Sequence, residues 1–232
     1  MSDVILEVCN LSKTFAEGDR QRRVFSNLNA SIRKGEFVVL LGRSGSGKST
    51  LLNLISGIDL PSGGEVRIGG RNLTGMTEQQ RTLFRRDHIG FVFQFYNLIP
   101  TLNVMENLLL PLELKKSLDA DSQRRALDIL QQVGLEDRSA SYPDRLSGGE
   151  QQRVAICRAL IHNPLVLLAD EPTGNLDAES GREVLALLDQ LIRKGRMTAL
   201  MVTHSAEVAR LADRVITIKD GGLVETAAST EV

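Results

Sequence analysis

The stretch FVVLLGRSGSGKSTLL, residues 37–52, restricts the possible folds of this chain more than any other. Five consecutive apolar residues, Phe37 to Leu41, suit a strand buried on both faces, and the run ends in a segment with almost no side-chain bulk. Leu51, Leu52 and Ile55 then return at the spacing of a helix's inner face. Strand, Gly/Ser segment and helix together fit G-x-x-x-x-G-K-[ST], from Gly42 to Ser49. Where side chains are absent, successive backbone N–H groups can turn inward around phosphate oxygens, at a helix N-terminus whose dipole adds to the attraction. Lys48 would reach β- and γ-phosphates, and the Ser49 hydroxyl would ligate Mg²⁺. Gly42, Ser44, Gly45, Ser46, Gly47, Lys48, Ser49 and Thr50 are therefore the candidate cradle. The competing reading is a flexible Gly/Ser turn beside an exposed lysine.

Other short apolar runs recur along the chain: VILEV at 4–8, IGFVF at 89–93, LVLLA at 165–169, TALMVT at 198–203 and RVITI at 214–218. Their alternation with helical patterns predicts an α/β fold with a mainly parallel sheet wrapped by helices. Between about 95 and 163 the pattern changes to amphipathic helices, LDADSQRRALDILQQVGL and EQQRVAICRALIH. This predicts a core of residues 1–94 and 164–232 with an inserted helical subdomain at 95–163. The tail after Gly222 is too short for a further domain. Lys and Arg number 28 against 29 Asp and Glu, so a net charge of −1 gives no bulk reason to bind nucleic acid or an anionic membrane. Cys9 and Cys157 have no metal-ligand spacing and read as packed thiols in a reducing compartment. MSDVILEV lacks the basic and apolar regions of a secretory signal. The longest uncharged stretch, Ile89 to Met105, is broken by Gln94, Asn97, Pro100, Thr101 and Asn103, so no membrane span is expected.

Two further segments carry chemistry. LVLLADEPTGNLD, 165–177, ends an apolar run in adjacent acids. Asp170 stands where a phosphate-loop enzyme holds Mg²⁺, and Glu171 can accept a proton from an attacking water. Structurally, the same pair could end the strand and cap the next helix. LSGGEQQRVAICRAL, 146–160, begins with Ser147 and Glu150 in capping-box spacing, yet Gly148 and Gly149 also leave the first-turn N–H groups uncovered, a second anion site. One nucleotide does not need two helix N-termini from remote parts of one chain.

GRSGSGKST, LSGGE and ADEPTGNLD together resemble the nucleotide-binding subunit of ABC transporters, in that family's order and over nearly the whole chain. The resemblance implies a phosphate-loop core with an N-terminal antiparallel β region, ATP and Mg²⁺ as ligands, and ATP hydrolysis. It implies that two copies pair head to tail on binding ATP, so that Ser147, Gly148 and Gly149 serve the partner's γ-phosphate. Gln94 matches the glutamine that senses Mg²⁺ and water, Asp177 the aspartate that communicates across the dimer, His204 the histidine on the γ-phosphate, and Phe15 the aromatic stacked on adenine. Departures are Glu150 for the usual Gln, Phe15 for the commoner Tyr, and Ser205 for a frequent acid. Part of VFQFYNLIPTLNVMENLLLPLEL, 92–114, is expected to form the groove for an integral membrane subunit. NLIPTLNVMEN and DEPTGNLD resemble the ATPases of lipoprotein release and macrolide export, which implies a peripheral place on the cytoplasmic face of the membrane. The short tail argues against importer ATPases with a C-terminal regulatory domain. A soluble ABC ATPase of DNA repair or translation is the alternative, but it usually brings a long coiled coil or two cassettes. A GTPase would need N-K-x-D, which is absent.

Overall fold

Strands β1 (Val4–Glu17) and β2 (Arg20–Arg33) open the chain as an antiparallel hairpin in the computed structural model, which describes residues 3–18, 20–219 and 221–226. After them come β3 (Phe37–Leu41), α1 (Lys48–Ile55), β4 (Gly63–Ile68), β5 (Arg71–Asn72) and α2 (Glu78–His88). Next are β6 (Ile89–Val92), α3 (Val104–Leu114), α4 (Ser122–Gln132) and α5 (Gly148–Leu160). The order continues with β7 (Val166–Asp170), α6 (Ala178–Gly195), β8 (Thr198–Thr203), α7 (Ala206–Ala209), β9 (Arg214–Lys219) and β10 (Gly222–Thr226). The tail beyond 226 lies outside the described residues. Two compact units result, one from Met1–Arg85 with Ile192–Val232 and one from Arg86–Leu191.

In the first unit β3 pairs in parallel with both β8 and β9, while β10 returns antiparallel to β9. Phe37, Val38, Val39 and Leu40 are each at most 2% exposed, as a strand covered on both faces requires. Burying each such side chain contributes about 1.5–3 kcal/mol before entropy is counted. VILEV behaves differently from the other apolar runs. It lies in β1, between β2 and β4 of an antiparallel sheet, because Leu6 and Val8 are buried while Glu7 between them is only half-buried. The register of β1 slips between Val8 and Leu11, where Asn10 takes a left-handed φ of 50°. Gly64 accommodates this irregularity: its φ is 80°, and a Cβ there would stand 2.3 Å from the Asn10 carbonyl oxygen.

In the second unit β6 and β7 pair in parallel from Ile89 opposite Val166 to Val92 opposite Ala169. From 95 to 163 the regular elements are α3, α4, α5 and two short 3-10 turns, Glu136–Arg138 and Pro143–Arg145. Helix α5 buries Val154, Ala155, Ile156 and Cys157 almost completely, and burial pushes the Cys157 thiol up to about 12. Cys9, in β1, is half-buried and also unbridged. Strand β6 lies directly on α5, because a Cβ on Gly90 would stand 2.4 Å from the Ala159 carbonyl oxygen. Of the apolar series at 92–114, Val104, Leu108, Leu109 and Leu112 turn into the core. Phe95 (68%), Ile99 (37%) and Leu114 (58%) remain exposed. No helix among the described residues is long and apolar enough to cross a membrane.

The spacing of β6 from α5 gives a test of the packing. Gly90→Ala forces an added methyl against main chain and should destabilise the protein by about 1–3 kcal/mol. The urea midpoint should fall with an unchanged slope; an unmoved midpoint would mean that the two elements separate freely.

Candidate functional site

The segment after β3 cannot carry side chains at its tightest points. A Cβ on Gly42 would stand 2.7 Å from Ser46 Oγ. Gly47, the N-cap of α1, has φ 96° and would place a Cβ 2.7 Å from the Phe25 ring and 2.8 Å from a Val24 methyl, so β2 presses on the loop. The helix then begins at Lys48 and buries Leu51, Leu52, Leu54 and Ile55. Lys48 is 6% exposed, and its ammonium donates to the carbonyls of Gly42 (2.9 Å) and Arg43 (3.0 Å). An ammonium held on the loop's own carbonyls keeps a positive charge within a cradle built from glycine and serine.

Gly42, Arg43, Ser46 and His204 line one cleft of about 620 Å³ at the carboxyl ends of β3, β8 and β9. His204 follows the fully buried β8 and is itself exposed. Ser46 Oγ is buried there with no hydrogen-bond partner among the described residues. An orphaned hydroxyl in a cradle rich in glycine and serine fits a ligand rich in acceptor oxygens, as a triphosphate is. Ser49 is exposed and Thr50 half-buried in the first turn of α1; Ser44 and Gly45 are exposed on the loop. Phe15 lies on β1 opposite Arg22, 37% exposed, with the Lys13 ammonium 4.7 Å above its ring. That ammonium is anchored on Asp59 (2.6 Å) and the Leu60 carbonyl (2.7 Å). Phe15 is not among the described residues lining the cleft.

The remaining candidates belong to the second unit. Asp170 ends β7, and Glu171 follows with a left-handed φ of 46°, a conformation costing a glutamate about 1 kcal/mol. Its carbonyl accepts from Gly174 N at 2.9 Å, closing a turn that starts directly from the strand. Asp177 caps α6, its Oδ1 accepting from the main-chain N–H groups of Glu179 and Ser180, both at 3.0 Å. Those bonds, led by the one from Ser180, hold its carboxyl below the ordinary aspartate range. Gln94, just beyond β6, is bonded to Asn175.

Ser147 is the exposed N-cap of α5, and the capping box is complete. Ser147 Oγ accepts from Glu150 N (3.3 Å), and the Glu150 carboxylate accepts from Ser147 N (2.7 Å). That second bond is the first cause of a lowered Glu150 pKa, with Arg138 and Arg153 adding to it. Gly148 faces the Tyr96 hydroxyl, which would stand 2.6 Å from an added Cβ, so one side of the helix tip is covered. Two residues that sequence reasoning passed over organise this unit. Gln152, fully buried in α5, donates to the Phe93 carbonyl (3.2 Å) and the Pro172 carbonyl (2.6 Å). Arg158, two turns on, donates to the carbonyls of Tyr96 (3.0 Å) and Asn97 (2.7 Å). The available signal was a glutamine on the inner face of an otherwise apolar helix stripe. In the second unit Gln94 and Asp170 offer amide and carboxylate oxygens, and in the first Ser49 offers a hydroxyl; each is a hard donor of the type that suits Mg²⁺.

A family model described as ABC transporter matches residues 25–174. An uncharacterized ABC transporter ATP-binding protein of Mycobacterium tuberculosis is 54% identical over 220 residues, covering 95% of this chain and 89% of the relative. The lipoprotein-releasing system ATP-binding protein LolD of Psychrobacter arcticus is 43% identical over 218 residues, 94% of this chain and 96% of its own length. The macrolide export ATP-binding/permease protein MacB of Escherichia coli is 45% identical over 221 residues, 95% of this chain but 34% of that longer protein. Among solved structures, a dimer of the ATP-binding cassette MJ0796 bound to ADP and Pi superposes with a TM-score of 0.87 at 41% identity, over 98% of this chain and 100% of that one. The expected α/β class, with an antiparallel N-terminal sheet, parallel strands and helices, agrees with that neighbour.

Two stability measurements test the local geometry. Glu171→Gly removes the left-handed penalty, so its melting temperature should be no lower than the parent's; a drop of several degrees would contradict the strain at this position. For Glu150, the lowered folded-state pKa means that its contribution is complete above the unfolded value of about 4.3 and is lost as pH falls through the folded value. The stability gap between the parent and Glu150→Gln should therefore close in acid; a gap that is constant with pH would exclude the charged capping bond.

Proposed function

This chain belongs to the ABC transporter family as an ATP-binding, ATP-hydrolysing subunit, and on that premise we propose how its residues divide the work. The observation that carries the reading is a surplus. One chain holds a Gly/Ser cradle around Lys48 and, far away in sequence, a second helix tip at Ser147, exposed and closed on itself by a capping box. Two copies pair on ATP, each lending Ser147, Gly148 and Gly149 to the other's γ-phosphate. The MJ0796 cassette, 41% identical, forms a dimer with ADP and Pi, which supports this arrangement.

Within each site Gly42 to Thr50 enclose the phosphates, Lys48 neutralises charge on the β- and γ-groups, and Phe15 stacks on the base. Ser49, Gln94 and Asp170 would hold Mg²⁺, which would supply positive charge against the triphosphate. Glu171 accepts the proton of the attacking water, and the exposed His204 donates to the γ-phosphate. Asp177 carries the state of one site to the other. The helical segment 95–163 forms the docking subdomain, with the exposed Phe95 and Ile99 contributing to a groove for an integral membrane subunit. The pair works as a peripheral protein on the cytoplasmic face of the membrane. LolD and MacB, named for lipoprotein release and macrolide export, support an assembly that performs mechanical work on a membrane partner.

Glu171→Gln should retain ATP binding while turnover falls by roughly 10²–10⁴-fold, the usual worth of a general base. Near-normal hydrolysis would reject that role. Mixing inactive Glu171→Gln with inactive Ser147→Arg tests the shared site. Random pairing should restore roughly a quarter of parental activity, since half of the dimers are mixed and each holds one intact site. No restoration would mean that each chain completes its own site.

A further inference from the structure

Gln94 and Asn175 are 81 residues apart and joined twice. Asn175 Nδ2 donates to the main-chain carbonyl of Gln94 at 3.1 Å, and Gln94 Nε2 donates to Asn175 Oδ1 at 3.1 Å. A carboxamide turned by 180° has nearly the same shape, so something must decide which end goes where. Here the main chain decides. The Gln94 carbonyl can only accept, so Asn175 must offer its NH₂ there, which leaves Oδ1 on the other side. Oδ1 can also only accept, so Gln94 must answer with its own NH₂. The series of donors and acceptors therefore ends with Gln94 Oε1 as the atom left for another partner.

We infer that Asn175 is a positioning residue that fixes the orientation of the Gln94 carboxamide, so that Gln94 meets a cation or its water with oxygen rather than with NH₂. A hard divalent cation binds carbonyl oxygen and is repelled by the hydrogens of NH₂, so a reversed amide would oppose the ion it is meant to hold. Two other observations describe the seat. A Cβ on Gly174 would stand 2.8 Å from Gln94 Nε2, 3.1 Å from its Cδ and 3.2 Å from its Cγ, so the bare Cα at 174 is what lets the carboxamide lie there. Gln152 holds the main chain on both sides, through the Phe93 carbonyl next to Gln94 and the Pro172 carbonyl in the turn before Gly174. The signal escapes a sequence reading because a Gly-Asn pair before an α6 cap looks like an ordinary turn.

This inference rests on the proposed role of Gln94 toward Mg²⁺, and the test separates the two. In the nucleotide-free chain, the side-chain NH₂ of Gln94 should show one hydrogen-bonded, slowly exchanging proton by ¹H–¹⁵N NMR, lost in Asn175→Leu. With ATP bound in a Glu171→Gln background, Mn²⁺ affinity read by electron paramagnetic resonance should weaken about 3–10-fold in Asn175→Leu, the worth of about one hydrogen bond. ATP binding without metal should not change. Gly174→Ala, whose backbone is outside the left-handed region, should displace the same carboxamide and weaken Mn²⁺ similarly. In a Gln94→Ala background neither change should add anything. If Gln94→Ala leaves Mn²⁺ affinity intact, the metal role of Gln94 is wrong. If Gln94→Ala weakens it while Asn175→Leu and Gly174→Ala do not, Asn175 and Gly174 are structural only and the inference falls.

Discussion

A loop that leaves the end of a buried strand carries carbonyl groups that have lost their ladder partners, and in the second unit helix α5 supplies replacements. Gln152 takes the carbonyls of Phe93 and Pro172, and Arg158 takes those of Tyr96 and Asn97. Burial of Arg158 lowers its pKa, yet a guanidinium remains charged, and charge-assisted bonds to carbonyls offset the desolvation. The same helix presents Ser147 at its opposite end. One helix thus sets the positions of the segment after β6, the turn after β7 and the Ser147 tip together. Asn107 repeats the device at smaller scale: fully buried in α3, its amide binds the main chain of Ile99, Leu102 and Asn103 and closes the loop ahead of the helix.

Left-handed backbone at residues other than glycine or asparagine is found at Lys116, Glu171 and Arg196 among the described residues, so it is not confined to the candidate site. Glu171 holds a left-handed backbone, and Gly47 and Gly64 hold positive φ angles against close neighbours. In Gly64 the reason is structural, since it faces the bulge of β1. At Glu171 a glycine would meet the backbone demand at less cost.

Much of this was legible because the relevant physics is local. The cradle from Gly42 to Thr50 follows from a strand, a Gly/Ser run and an apolar helix that are adjacent in the chain, and the acids at 170 and 171 from their place at the end of a buried run. The capping box at Ser147 needs only four residues. VILEV misled for the opposite reason: four or five residues are too few to distinguish a fully covered strand from one with a single buried face, and the pairing partners lie at 20–33 and 63–68. The seat of Gln94 was illegible for the same cause. Its two halves meet only after β6 and β7 pair, and neither Gly174 nor Asn175 has an unusual local environment in the sequence.

The two thiols differ in a way that gives the experimenter a handle. Cys157 is fully buried in α5 and holds its proton to about pH 12, which leaves almost no thiolate for an alkylating reagent at neutral pH. Cys9 sits half-covered in the antiparallel sheet, opposite Glu65. Of these two thiols Cys9 is therefore the addressable one, and one maleimide fluorophore would report on the N-terminal sheet with Cys157 left in place.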